Sequence, residues 1–88
     1  MILQFIKNIT FTRLVKAADR LREFNFRKLS SDSDPLIHID VPDDRGNRIV
    51  FRMQKENNNE WKIVNDNLPA WVSATEKELN AHIVDELG

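Results

Sequence analysis

His38 and Asp40 stand two residues apart in Leu36-Ile37-His38-Ile39-Asp40-Val41, a spacing that puts both on one side of an extended strand. An imidazole beside a carboxylate pairs a general base with the group that orients it, and Arg52 would add an anchor for an anionic substrate. Two residues along a strand is about 7 Å, however, so a His–Asp hydrogen bond does not follow from the spacing. No Ser, Thr or Cys nucleophile and no glycine-rich elbow is placed predictably beside the pair. A hydrolase is therefore the weakest functional reading, and no catalytic residue is assigned.

A second stretch that resembles chemistry is Asp43-Asp44-Arg45-Gly46. Adjacent carboxylates can hold a cation, but a calcium loop needs at least about six oxygen ligands at spaced positions. The same residues make a hairpin corner, which is how we read them. His38 and His82 are far apart in sequence, with neither cysteine nor a His-Glu-x-x-His spacing beside them. No metal and no cofactor are expected.

The bulk composition narrows the classes further. Eighty-eight residues suit one small domain over 1–88, with no cleft between lobes. Without cysteine, the core must be apolar packing alone, which suits a reducing, cytoplasmic setting. The opening Met-Ile-Leu-Gln-Phe-Ile-Lys-Asn-Ile is apolar but broken by Gln4, Lys7 and Asn8, and does not read as a signal peptide. No run approaches the roughly 20 apolar residues that cross a bilayer, so no membrane partner is expected. A net charge of −1 argues against a strongly electrostatic nucleic-acid binder. The charge is nonetheless segregated. Residues 1–28 carry Lys7, Arg13, Lys16, Arg20, Arg22, Arg27 and Lys28 against Asp19 and Glu23, whereas 73–88 carry Glu76, Glu78, Asp85 and Glu86 against Lys77.

These side chains must be positioned by local structure. Phe11, Leu14, Val15, Ala18 and Leu21 fall at helical spacing and predict a helix over 10–23. Ile2, Phe5, Ile6 and Ile9 extend that spacing, so the apolar segment 1–9 reads as a continuation of the helix, as a separate short helix or as a leading strand. From Phe24 the period changes to two, and 24–65 reads as an antiparallel meander of four strands. Ser30-Ser31-Asp32-Ser33-Asp34-Pro35 is a loop by composition. Ser73-Ala74-Thr75-Glu76 fits a capping box opening an amphipathic helix over 73–87, with Leu79, Ile83 and Leu87 on its stripe. The expected fold class is α+β, with both helices on one face of the sheet and the basic one beside the acidic one.

Register can be tested from the turns. A loop of Asp44, Arg45 and left-handed Gly46 places Asp43 opposite Asn47, and then Val41 opposite Ile49, Ile39 opposite Phe51 and Ile37 opposite Met53. A loop of Glu56, Asn57 and left-handed Asn58 brings Met53 to Trp61 and Phe51 to Ile63. His38, Arg52 and Lys62 then form one row on the polar face, with Asp40, Val50 and Val64 in the next.

Three functions follow, in order. The first is a small non-enzymatic module that binds a protein partner or copies of itself, through the free sheet face, an edge strand or the N-terminal segment. Trp71 in Leu68-Pro69-Ala70-Trp71-Val72 belongs to this reading if exposed, although we expect it to fold under the sheet edge. The second is anion or nucleic-acid binding through Arg27, His38, Arg48, Arg52 and Lys62 on the polar face that also carries Asp40; the third is the hydrolase around His38 and Asp40. The order helix, strands, helix resembles double-stranded-RNA-binding domains in element order alone. That family opens its last helix with a lysine-rich run, whereas Thr75-Glu76-Lys77-Glu78 is acidic, so nucleic acid is not the favoured partner.

Overall fold

Residues 10–23 form a β-hairpin, not a helix. The computed structural model describes residues 8–29 and 36–87. In it β1 (Asn8–Ala17) and β2 (Arg20–Leu29) pair antiparallel from Asn8↔Leu29 to Ala17↔Arg20. The strands β3 (Leu36–Pro42), β4 (Arg48–Lys55) and β5 (Trp61–Ile63) complete a curled five-stranded antiparallel sheet in sequence order. Two helices follow, α1 (Ala70–Ser73) and α2 (Glu76–Leu87). The expected architecture of two helices flanking four strands is thereby overturned, together with the resemblance in element order to RNA-binding domains. The readings made for 1–7 and for the loop 30–35 lie outside the described residues; Asn8 and Ile9 open β1.

The hairpin obeys a period of two that the apolar residues alone conceal. Phe11, Arg13, Val15 and Ala17 point to the inner face with Arg22, Phe24 and Phe26, while Thr12, Leu14, Lys16, Leu21, Glu23 and Asn25 point outward. Leu14 and Leu21 are 60% and 64% exposed, yet Arg22 is 5% exposed. The reversal is a two-residue turn at Ala18 and Asp19, with φ of 53° and 66°. Both lie in the left-handed region that a type I′ turn requires.

The β3–β4 corner has the expected geometry. Asp43 N donates to Asn47 O at 2.8 Å, Gly46 has φ of 81°, and the pairs Val41↔Ile49, Ile39↔Phe51 and Ile37↔Met53 all form. Asp43 Oδ1 accepts from Arg45 N and Asn47 N at 2.9 and 2.8 Å, so the first of the paired carboxylates is turn chemistry. A Cβ at Gly46 would meet nothing within 4 Å. Gly46→Ala is therefore expected to cost only the left-handed conformation, about 1 kcal/mol, read from the midpoint of chemical denaturation. Unchanged stability would contradict this placement.

The β4–β5 loop sits one residue later than expected. Glu56 N donates to Glu60 O at 2.8 Å and Asn59 takes the positive φ of 64°, so Met53 meets Ile63 and Lys55 meets Trp61. Each pairing moves by two residues, which keeps the faces and shifts the rows.

The inner face is closed by the C-terminal elements. Phe24, Phe26, Ile37, Ile39, Val41, Phe51 and Met53 pack with Val72 of α1 and with Leu79 and Ile83 of α2. Twelve residues of helix span about 18 Å, and four strand spacings about 19 Å. The length of α2 therefore matches the width of the sheet, from β5 at its start to β1 at its end. The capping box does not form. Thr75 O accepts the first helical bond from Leu79 N at 2.9 Å, and the Thr75 hydroxyl donates to Val72 O at 2.6 Å. Among the described residues no helix is long and apolar enough to cross a membrane.

Candidate functional site

The outer face, opposite α2, is built by residues of five strands whose rows follow from the pairing. Arg27↔His38 and His38↔Arg52 set three of the expected site residues side by side, with Thr10 beyond Arg27. In the next row Thr12, Asn25, Asp40 and Val50 stand in line. An open depression of about 440 Å³ lies over these rows from β1 to β3, with Thr10, Thr12, Asn25, Arg27, His38 and Asp40 among its walls; Val50 borders it on β4, and Arg52 stands outside its lining. Asn25 fell in the expected first strand and was not singled out, whereas Thr10 and Thr12 are absent from the sequence-based set because 10–23 read as a helix. Their signal was the β-prone run Ile9-Thr10-Phe11-Thr12.

The second row is a closed polar chain. Thr12 Oγ1 donates to Asn25 Oδ1 at 2.8 Å, Asn25 Nδ2 donates to Asp40 Oδ1 at 3.0 Å, and Arg48 Nη1 donates to the same Asp40 oxygen at 2.5 Å. Asp40 is thus engaged by Asn25 and Arg48, and no hydrogen bond joins it to His38. The first row is different. Among the described residues the side chains of Arg27, His38 and Arg52 meet no carboxylate and no hydrogen-bond partner. Lys62 does not join them: it pairs with Gln54, bonds Glu60 at 3.3 Å, and leaves its expected place to Val64.

Trp71 lies on the opposite side of the sheet, partly buried against the core as expected. Its ring stacks on the Arg22 guanidinium, 4.4 Å from centroid to Cζ. Arg22 Nε donates to Ala17 O at 2.9 Å, Nη1 to Pro42 O at 3.4 Å, and Nη2 to Asp44 Oδ1 at 3.0 Å. Asp44 also bonds Arg20 at 3.2 Å, so the second carboxylate of the corner ties two turns together. The segregated charge is spent in a similar internal contact. Arg13 of β1 bonds Glu86 at 2.6 Å and Asp85 at 3.1 Å, which raises the guanidinium pKa through Glu86 first and Asp85 second. It also neutralises two acids that a helix C-terminus disfavours.

The two edges of the sheet are unlike. Along β5 the outward N–H groups are capped by α2, with Trp61 N donating to Asn80 Oδ1 at 2.7 Å and Ile63 N to Glu76 Oε2 at 2.8 Å. Asn65 Oδ1 covers Arg52 N at 2.7 Å where β4 outruns β5. Along β1, the Ala17↔Arg20 pair flanking the turn exchanges both bonds, so every second residue from there faces β2. Thr10, Thr12, Leu14 and Lys16 therefore aim their N–H and C=O groups away from the sheet, and among the described residues nothing meets them. Comparison with protein-family models, curated proteins and solved structures finds no match to this chain.

Proposed function

We propose that the protein is a non-catalytic interaction module that accepts a further strand along β1, with a second copy of itself as the donor. The observation that carries this reading is the contrast of edges, one capped by three side chains and the other, a ten-residue strand free of proline, left open at Thr10, Thr12, Leu14 and Lys16 among the described residues. Exposed Leu14 and Leu21 are diagonal neighbours beside that open edge. Antiparallel pairing of two β1 strands with Leu14 opposite Leu14 joins these leucines into one patch, and sets Thr12 opposite Lys16 and Arg13 opposite Val15. No like charges face each other in this register. Engagement of Asp40 by Asn25 and Arg48 supports the non-catalytic reading, because the carboxylate that would orient His38 as a base is held by other partners. A cytoplasmic setting belongs to the same proposal, supported by an apolar core without cysteine.

Sedimentation over a concentration series tests it. The parent is expected to show a monomer–dimer equilibrium that changes little with salt, since backbone bonds and leucines carry it. Leu14→Pro removes an outward N–H without touching the β2 ladder, and Leu14→Lys places like charges on the axis. Each is expected to weaken association at least tenfold, about 1.4 kcal/mol, with an unchanged circular dichroism spectrum. A parent that stays monomeric throughout, or folded variants that dimerise as it does, would overturn the proposal.

A further inference from the structure

We propose that the row Arg27–His38–Arg52 is a binding site for a phosphate-bearing small molecule. It is independent of strand addition at β1. The cations Arg13, Arg20, Arg22, Arg48 and Lys62 each bond a carboxylate. Arg27 and Arg52 instead meet no carboxylate among the described residues, and stand on either side of His38 on three adjacent strands. Their backbones are two strand spacings apart, about 9.5 Å, and each guanidinium stands on a stem longer than half that distance. An oxyanion centred over His38 is therefore within reach of both planar forks, which match phosphate oxygens two at a time. The imidazole N–H and the Thr10 hydroxyl border the same space, adding donors that a phosphate accepts from. Asp40, in the adjoining row, is occupied by Arg48 and Asn25, and among the described residues no carboxylate bonds Arg27 or Arg52.

The size of the ligand follows from the surroundings. The depression bordered by Thr10, Arg27 and His38, about 440 Å³, lies in the range of small-molecule sites, and Arg52 flanks it beside His38. A nucleic-acid backbone needs a longer basic track, and the row ends at Val64 on one side and Thr10 on the other, in a chain of net charge −1.

The test is a titration of the full chain with inorganic phosphate, phenyl phosphate and a single-stranded oligonucleotide, followed by the NMR signals of the arginine Nε–H groups and the His38 ring. Saturable shifts at Arg27, Arg52 and His38 are expected with both phosphates. The double variant Arg27→Gln, Arg52→Gln is expected to weaken binding at least tenfold while keeping the parent melting temperature, because neither side chain bonds a partner among the described residues. Lys62→Gln, displaced from the row, is expected to stay within twofold of the parent. Absence of saturation, equal loss in Lys62→Gln, or binding of the oligonucleotide alone would overturn the assignment.

Discussion

Arg22→Ala is expected to lower the stability of the fold by about 3 kcal/mol, a large share of the roughly 5–15 kcal/mol that a small domain has in total. Arg22 lies where β2 and β3 diverge beyond Asn25↔Asp40, and its guanidinium bridges the gap by donating to Ala17 O and Pro42 O. Truncation leaves these carbonyls short of a donor at about 1–3 kcal/mol, and removes a desolvated cation–π contact with Trp71 that is worth about 2. The carboxylate that loses its partner, Asp44, is 64% exposed and regains water, so the loss stays at the low end of about 3–5 kcal/mol seen for buried pairs. Thermal unfolding is the measurement, with a fall of roughly 12–24 °C at the 4–8 °C per kcal/mol typical of this size. Arg22→Lys should recover little, since an ammonium cannot reproduce the fork. Arg22→Met should recover more, through the packing of its stem. A loss under about 0.5 kcal/mol for alanine, the level of an ordinary surface change, would contradict the described role.

The double variant Ala18→Asn, Asp19→Gly is expected to gain about 1.5 kcal/mol, or roughly 6–12 °C in midpoint. Both residues are held at positive φ, at about 1–2 kcal/mol for an ordinary L-residue such as alanine, whereas Asn-Gly is the favoured pair of a type I′ turn. The sign decides between two structures. In a helix over 10–23, asparagine for alanine and an interior glycine would cost about 1 kcal/mol or more. A destabilised variant would therefore return the segment to the helical reading.

That segment shows why part of the fold was not readable from the residues. Phe11, Leu14, Val15, Ala18 and Leu21 keep the spacing i, i+3, i+4, i+7, i+10, but Leu14 and Leu21 are outside and Arg13 and Arg22 inside. Tertiary contacts pay for the inversion, through Trp71, Glu86 and Asp85, all distant in sequence. The turn itself is written with alanine, the strongest helix former, in place of glycine or asparagine. The β3–β4 hairpin was legible because strict alternation and a glycine corner agree on one register. In the β4–β5 loop three successive asparagines tolerate positive φ equally, so composition could not select Asn59 over Asn58. Of the candidate site, His38 and Arg52 were brought together by the legible hairpin. Lys62 was misplaced by that single-residue ambiguity, and Thr10 and Thr12 were hidden by the false helix.

Glu76 and Asn80, one helical turn apart, make the sheet one-ended. A ribbon that can grow from a single side has no route to a fibril. The first strand exchanged with a twin is also the last, because the far border of each protomer is already terminated by its own helix. Assembly through β1 would thus close at two chains by construction.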